Sequence, residues 1–270
     1  LNRIKTLASL FLELGPRWSA FRLAYAFRLC SGLIRLQTPQ YSWNDRPLKH
    51  WLNPTIPSDS SYVIWRKTYA PKFFPTVGAG SPRPDYGTNV IEEANRLLNG
   101  ELKYFSHEYH KTGFPPVWNH VILSDSEGSL PASSEILRSR RTLPQNDIGK
   151  HWSQISDDSA TDIKFIWEPN RFTFVYTLVR AYAITQDEKY TQAFWGLIQD
   201  WADHNPPNTG SNWKDGQEIA LRLMAWTFGF YAFIHSPSTT SAQISQFTQL
   251  IAAQAERIHA NIGYAISTRS

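Results

Sequence analysis

Apolar positions recur at helical spacing near the start of the chain and again from Ile163 onward; between these stretches the period fades. Residues 4–35 read as helical, with Leu7, Leu10, Phe11 and Leu14 on one face and a break at Gly15-Pro16. A second helix is expected over residues 18–36. Over residues 37–84, Pro, Ser and aromatic residues replace the period, which predicts an ordered meander or a partly flexible linker. Residues 89–98 predict a short helix and residues 102–104 a brief strand or turn. Residues 121–147, which open Val121-Ile122-Leu123-Ser124-Asp125-Ser126-Glu127-Gly128-Ser129, have no strong period and the texture of an insertion. Two readings stay open for them: a translated repetitive element or coding error, and a surface loop.

After Ile163 the pattern predicts four helices. The first covers residues 169–184, with Pro169 at a tolerated first helical position. The second covers 190–203 and buries Phe194, Leu197, Ile198 and Trp201. The third covers 216–234. The fourth covers 241–262, with Ile244, Phe247, Ile251, Ile258 and Ile262 turned inward. Short connections between them imply stacked antiparallel αα-hairpins, an arrangement that can curve into an α/α toroid. The expected class is all-α, divided as residues 1–36 (amino-terminal helices), 37–162 (irregular connection) and 163–270 (hairpins).

With 270 residues and 41% hydrophobic content the chain can bury a substantial core, which excludes wholesale disorder. The 11 Trp, 12 Tyr and 15 Phe exceed what a helical core requires, so two uses compete: stacking on sugar rings and bulk packing. The net charge of +4 is spread along the chain and carries little weight by itself. No helix-turn-helix, zinc-finger or RNA-binding signature is present, so nucleic acid is disfavoured as a partner. One cysteine, Cys30, excludes an internal disulfide and reads as an inert core thiol. No stretch approaches the ~20 apolar residues of a membrane span. Leu1-Asn2-Arg3-Ile4-Lys5 imitates the start of a signal peptide, but Glu13, Arg17 and Arg22 interrupt the apolar run after it, and localisation is left open.

On the third hairpin helix Asp215, Glu218, Arg222 and Trp226 share one face, which should meet water, a partner or a ligand. Asp215 with Glu218 matches a capping-box-like pattern, and Glu218 with Arg222 an i,i+4 ion pair. A cap plus brace competes here with substrate contact. Trp167, Glu168 and Arg171 form a similar group at the first helix start. There Glu168 complements the positive helix end, or Arg171 pairs with Glu218 across hairpins and lines a cleft. The turn Asn205-Pro206-Pro207-Asn208-Thr209-Gly210 leads to Asn212 and Trp213, where the indole is either packing or a stacking platform. His107 and His110 lack a matching His-Glu phrase, so metal ligation is disfavoured and no cofactor is expected. Asp157-Asp158 and Asp187-Glu188 fall in expected loops and read as solvated pairs.

As an ensemble, Trp167-Glu168-Pro169-Asn170-Arg171, Asp187-Glu188-Lys189-Tyr190, the tract from Ala202 to Trp213, and Glu218-Ile219-Ala220-Leu221-Arg222 resemble the amino-terminal helical domain of the heparinase II/III-like polysaccharide lyases. The resemblance implies an incomplete α/α toroid, succeeded in that family by an antiparallel β-sandwich. It also implies β-elimination on an acidic, uronate-containing polysaccharide of heparin, heparan or alginate type, and makes periplasmic or secreted placement compatible. In the family an Asn, a His and Tyr residues serve catalysis, and an Asn-Asn-His phrase comes after a helix ending like Asn261-Ile262-Gly263-Tyr264. No family catalytic residue maps onto this chain, which is therefore expected to be an inactive fragment lacking the toroid remainder and the β-sandwich. The implied substrate-binding set is Trp167, Glu168, Arg171, Asn212, Trp213, Glu218 and Arg222. Two rivals stand beside it: a noncatalytic carbohydrate-binding or scaffold helical module, and an α/α-toroid glycoside hydrolase.

Overall fold

A computed structural model describes residues 2–58, 61–71, 89–119, 149–155 and 163–268, with side chains from residue 15 to 267 within those stretches. Helix α1 (Asn2–Cys30) is kinked at Gly15, whose φ of 81° and ψ of 164° only glycine adopts cheaply, and Pro16 restarts the helix. The break expected at Gly15-Pro16 is therefore present as a kink. Gly32, at φ 81°, then separates α1 from α2 (Leu33–Gln37). Cys30 is exposed, not a core thiol, because it lies on the side of α1 turned away from the body. The aperiodic region holds two short helices, α3 (Leu48–Trp51) and α4 (Ser61–Tyr69), which pack on the last helix through Tyr62 and their neighbours.

Helix α5 (Val90–Leu98) leads through Gly100 into a small antiparallel pair, β1 (Glu101–Tyr104) and β2 (Glu108–Lys111), in register from Glu101↔Lys111 to Tyr104↔Glu108. Its tip turns on Phe105 and Ser106, both at positive φ. The first hairpin helix expected from the pattern is in fact two helices, α6 (Lys164–Asn170) and α7 (Val175–Thr185). Pro169 sits near the end of α6 and not at a helix start. The chain breaks at Phe172, held at φ 57°, an uncommon conformation for a bulky residue. Its ring offsets that strain by being fully buried, stacked on Trp118 at 5.0 Å and edge-on to Trp226 at 5.2 Å.

Helices α8 (Lys189–His204), α9 (Gly216–Phe233) and α10 (Ser241–Thr268) lie close to expectation. On α8 Phe194, Leu197, Ile198 and Trp201 are buried as the period predicts; on α10 Ile244 and Phe247 are buried, but Ile262 is exposed. Helix α7 packs on α5, α8 and α9, while α10 packs on α9, α1, α3 and α4. The described chain is thus all-α apart from the small β-pair, built of stacked helical hairpins. One continuous core runs from Ile34 to Ala253. Much of the aromatic surplus is packing: Trp118, Trp152, Trp195, Trp201, Trp213 and Trp226 are all buried, and Phe230 stacks flat on Phe247 at 4.4 Å. No helix among the described residues is long and apolar enough to cross a membrane. The suspected insertion at 121–147 lies outside the described residues.

Gly229 marks the tightest helix contact. A Cβ there would meet the Phe194 ring of α8 and stand 2.7 Å from Val175 Cγ1 of α7, whereas one at Gly196 would meet nothing within 4 Å. Gly229→Ala is expected to destabilise by about 1–3 kcal/mol through overpacking. Gly196→Ala, in the middle of α8, should leave the melting temperature unchanged or raise it. Thermal unfolding of both variants by circular dichroism checks the contrast.

Candidate functional site

The site forms where α6 ends, α9 begins and the β-hairpin tip folds over both. Asp215 caps α9, its Oδ1 accepting from Gln217 N at 2.7 Å and Glu218 N at 3.2 Å. That cap places Glu218 on the first turn, facing Arg171 just past the end of α6. Arg171 donates from Nε and Nη2 to the two Glu218 oxygens at 2.6 and 2.7 Å, and from Nη1 to Glu168 Oε2 at 2.5 Å. The other Glu168 oxygen accepts from the Phe105 backbone N–H at 2.9 Å. The cross-hairpin pairing of Arg171 with Glu218 is present as the sequence suggested, in the bidentate geometry that suits a planar guanidinium. Its partner Glu218 first of all, then the neighbouring Glu168, raises the Arg171 pKa against the opposing pull of burial. Glu168 does not precede its helix: it lies inside α6 and turns its carboxylate to Arg171 and the hairpin tip.

The shared face of α9 turns inward, contrary to the expectation that it meets water or a ligand. Glu218, Arg222 and Trp226 are all buried, whereas Met224 is exposed. Arg222 does not form the expected salt bridge with Glu218. Its Nε donates to Gln254 Oε1 at 2.7 Å, Nη2 to the Asn212 carbonyl at 3.0 Å and Nη1 to the Asn170 carbonyl at 3.4 Å, while the guanidinium lies 4.4 Å from the Trp201 ring centre. Burial pushes the Arg222 pKa down to about 9, which leaves it a cation at neutral pH.

Asn212 and Trp213 belong to a 3₁₀ turn (Ser211–Trp213) enclosed by protein. Asn212 Nδ2 donates to Asn205 Oδ1 at 2.8 Å and to the Trp118 carbonyl at 3.2 Å. Asn170 donates to that same carbonyl at 2.9 Å and accepts from Trp201 Nε1 at 2.7 Å. The Trp213 indole is fully buried between Trp43 and Trp201, each about 6.1 Å away, so it has no free face for a sugar. Trp167 is half-buried and ties α6 to the turn through Nε1–H to the Ser211 carbonyl at 3.1 Å. Of the seven sequence-derived residues, Trp167 and Arg171 are partly exposed and the other five are buried.

Beside the triad of Glu168, Arg171 and Glu218 opens a cleft of about 330 Å³, bordered by Ser106 and Thr173, the chain neighbours of Phe105 and Phe172. Its walls carry the cations Lys103 and Arg180, the carboxylates Glu93 and Glu101, and the rings of Tyr109, Phe174 and Tyr176. Lys103 Nζ is 2.9 Å from Glu93 Oε1, whose hydrogen bond raises the lysine pKa. Sequence reasoning missed this cleft because its two walls, the β-hairpin and α7, are some seventy positions apart and neither carries a motif. It also missed Gln254 and Arg257, polar residues on a helix face that the period alone reads as ordinary, and gave Asn170 and Asn205 no role beyond the phrases that contain them. Glu188, expected to be solvated, is partly buried; burial pushes its pKa up, but hydrogen bonds from Ser236, Ser238 and Tyr182 outweigh that and hold it low. Asp157-Asp158 lies outside the described residues. Among the described residues no three His, Cys, Asp or Glu side chains gather as a metal-holding group.

Residues 141–267 match the family model described as Heparinase II/III N-terminus, and this stretch contains the triad, the Asn205–Trp213 turn and α6 to α10. No curated protein and no solved structure matches the chain. A family-level resemblance to heparinase II/III-like proteins is thereby established for the carboxyl-terminal half. The matched span includes all seven residues of the sequence-derived set, Trp167 to Arg222.

Arg222→Ala would orphan Gln254 and two buried carbonyls and open a cavity, so it should cost roughly 3 kcal/mol or more in urea unfolding. A second expectation concerns His151, which caps the 3₁₀ turn Trp152–Gln154: Nδ1 accepts from Ser153 N at 3.2 Å, so Nε2 carries the proton and donates to the Thr38 carbonyl at 2.7 Å. Burial lowers its pKa below the usual 6.5, with the charges of Arg257 and Arg35 adding to the shift and the bond to Thr38 opposing it. A histidine held neutral by the fold stabilises fully above pH 6.5, and that stabilisation falls away as pH drops below it, because the unfolded chain binds the proton more readily. Melting temperature should therefore decline on acidification below about 6.5, and His151→Asn should flatten that segment of the profile.

Proposed function

We propose that this chain supplies the helical wall of the substrate cleft in a polysaccharide lyase that acts by β-elimination on an acidic, uronate-bearing polymer. The observation that carries the reading is the match of residues 141–267 to the Heparinase II/III N-terminus family over the same residues that build the triad and its turn. The adjacent cleft supports it: Lys103 and Arg180, set beside Glu93 and Glu101, can each pair with a uronate carboxylate, and Tyr109, Phe174 and Tyr176 offer apolar ring faces for sugar C–H groups. Such elimination needs the carboxylate neutralised, a base to take the C5 proton and an acid for the leaving oxygen. No residue of this chain is assigned to those proton transfers.

In this reading Trp167 and Arg171 meet the polymer at the cleft rim. Glu168 and Glu218 hold Arg171; Asn212, Trp213 and Arg222 hold the turn beneath Trp167. The helical hairpins form part of an α/α toroid. A noncatalytic carbohydrate-binding module remains the second reading, favoured by the same cleft because recognition alone needs no acid or base.

The test is to incubate the chain, alone and within any longer product of its gene, with heparin, heparan and alginate, and monitor the ultraviolet absorbance of the unsaturated uronate. Elimination is expected only where the catalytic groups are present. Reducing ends without the absorbance would point to a hydrolase, and binding without either product to the module. Lys103→Ala is expected to weaken binding of an acidic oligosaccharide about tenfold by calorimetry, corresponding to one lost charge-assisted contact, with little change in melting temperature.

A further inference from the structure

The amino-terminal helix is built inside out. On α1, Ala20, Leu23, Ala24, Ala26, Phe27 and Cys30 are all exposed, and at 3.6 residues per turn they share about half of the helix circumference. Leu23 is 73% and Phe27 66% exposed, and α2 adds Leu36 at 78%. The opposite side of α1 is the one that packs: Phe21 and Tyr25 lie 6.2 and 4.5 Å from the Tyr264 ring of α10. None of these exposed residues takes part in the ring contacts that join α1 to α10.

Its borders are cationic. Arg17, Arg22, Arg28 and Arg35 are the charged residues from Gly15 to Asn44, a stretch with no Asp or Glu. None of the four forms an ion pair with a described carboxylate. Arg22 instead donates to Tyr264 Oη at 2.6 Å, and Arg28 bonds the Gln37 amide oxygen. Arginines without an ion-pair partner among the described residues, flanking an apolar helix face, match one environment, in which acyl chains take the apolar side and anionic headgroups the guanidiniums. A polyanion in water would satisfy the arginines but leave Leu23 and Phe27 wet.

We propose that the α1–α2 face docks the protein on an anionic lipid bilayer, lying in the interface plane. The single cysteine provides a reporter within that face, since Cys30 is exposed one turn beyond Phe27. The chain carrying an environment-sensitive fluorophore on Cys30 would be mixed with vesicles of phosphatidylcholine alone or with added phosphatidylglycerol. Expected are a blue shift and co-sedimentation with the anionic vesicles, loss of both in Leu23→Glu/Phe27→Glu, and about fivefold weaker partitioning for each of Arg17→Gln and Arg35→Gln. The paired substitutions fall on exposed positions, so a circular dichroism melt matching the parent confirms that the fold is kept. Should the double variant not fold, the unsubstituted labelled chain with the two vesicle types still decides. Absence of a shift on anionic vesicles would overturn the proposal, as would equal binding by a folded double variant. A concentration-dependent dimer dispersed by the same substitutions, without vesicle binding, would overturn it in favour of a contact between copies.

Discussion

The rest of the site hangs on the buried guanidinium of Arg222. It draws together the end of α6 through the Asn170 carbonyl, the 3₁₀ turn through the Asn212 carbonyl, and α10 through Gln254. Helix ends leave carbonyls without intrahelical partners, and a carbonyl sealed from water needs a donor. A charged, forked donor satisfies several at once. With no carboxylate bonded to it, the cation is stabilised by carbonyl dipoles and by the face of Trp201, and burial still lowers its pKa. Arg257 repeats the device one layer away: it donates to the Trp213 and Lys214 carbonyls and lies 3.6 Å from the Trp152 ring centre. Two arginines thus fix the irregular backbone between α8 and α9 where regular hydrogen bonding stops.

With the turn fixed, charge is partitioned. Arg171 directs all three guanidinium nitrogens to Glu168 and Glu218, so the triad has two carboxylates for one cation. An acidic sugar gains little there unless it displaces a carboxylate. The positive groups beside the neighbouring cleft, Lys103 and Arg180, have different surroundings. Lys103 shares Glu93 with Tyr109, a more exposed pairing, and side-chain entropy and solvent screening make such a pair cheap to exchange for a ligand. In the proposed reading the cleft cations are therefore the cheaper contact for an acidic sugar, and Arg171 the costlier one.

Helix positions after residue 185 were legible in the sequence because each has an unbroken apolar period and a recognisable boundary, such as the Asp215 cap. The split between α6 and α7 was not, because the break sits at Phe172, a bulky residue whose left-handed backbone is justified by the rings of Trp118 and Trp226. Local propensity contains no trace of those contacts. The polar face of α9 was misread for a related reason. Periodicity assigns polar residues to the outside, but an arginine that serves carbonyls from two other segments belongs inside. The pairing of Arg171 with Glu218 was legible because both residues flank helix ends that the hairpin brings together.

Helix α1 inverts the same rule, and its contrast with α9 has a physical cause. On α9 a charged residue is inside because each of its three guanidinium nitrogens finds an acceptor; on α1 Leu23 and Phe27 are outside because the aromatic side of the helix, Phe21 and Tyr25, already meets α10. A helix has one circumference, and at α1 the rings claim the inner side. The aliphatic side is left over with arginines at its edges and no Asp or Glu between Gly15 and Asn44. Single exposed apolar residues are ordinary on protein surfaces, but a contiguous apolar stripe with one-signed borders is a surface complementary to something both apolar and anionic.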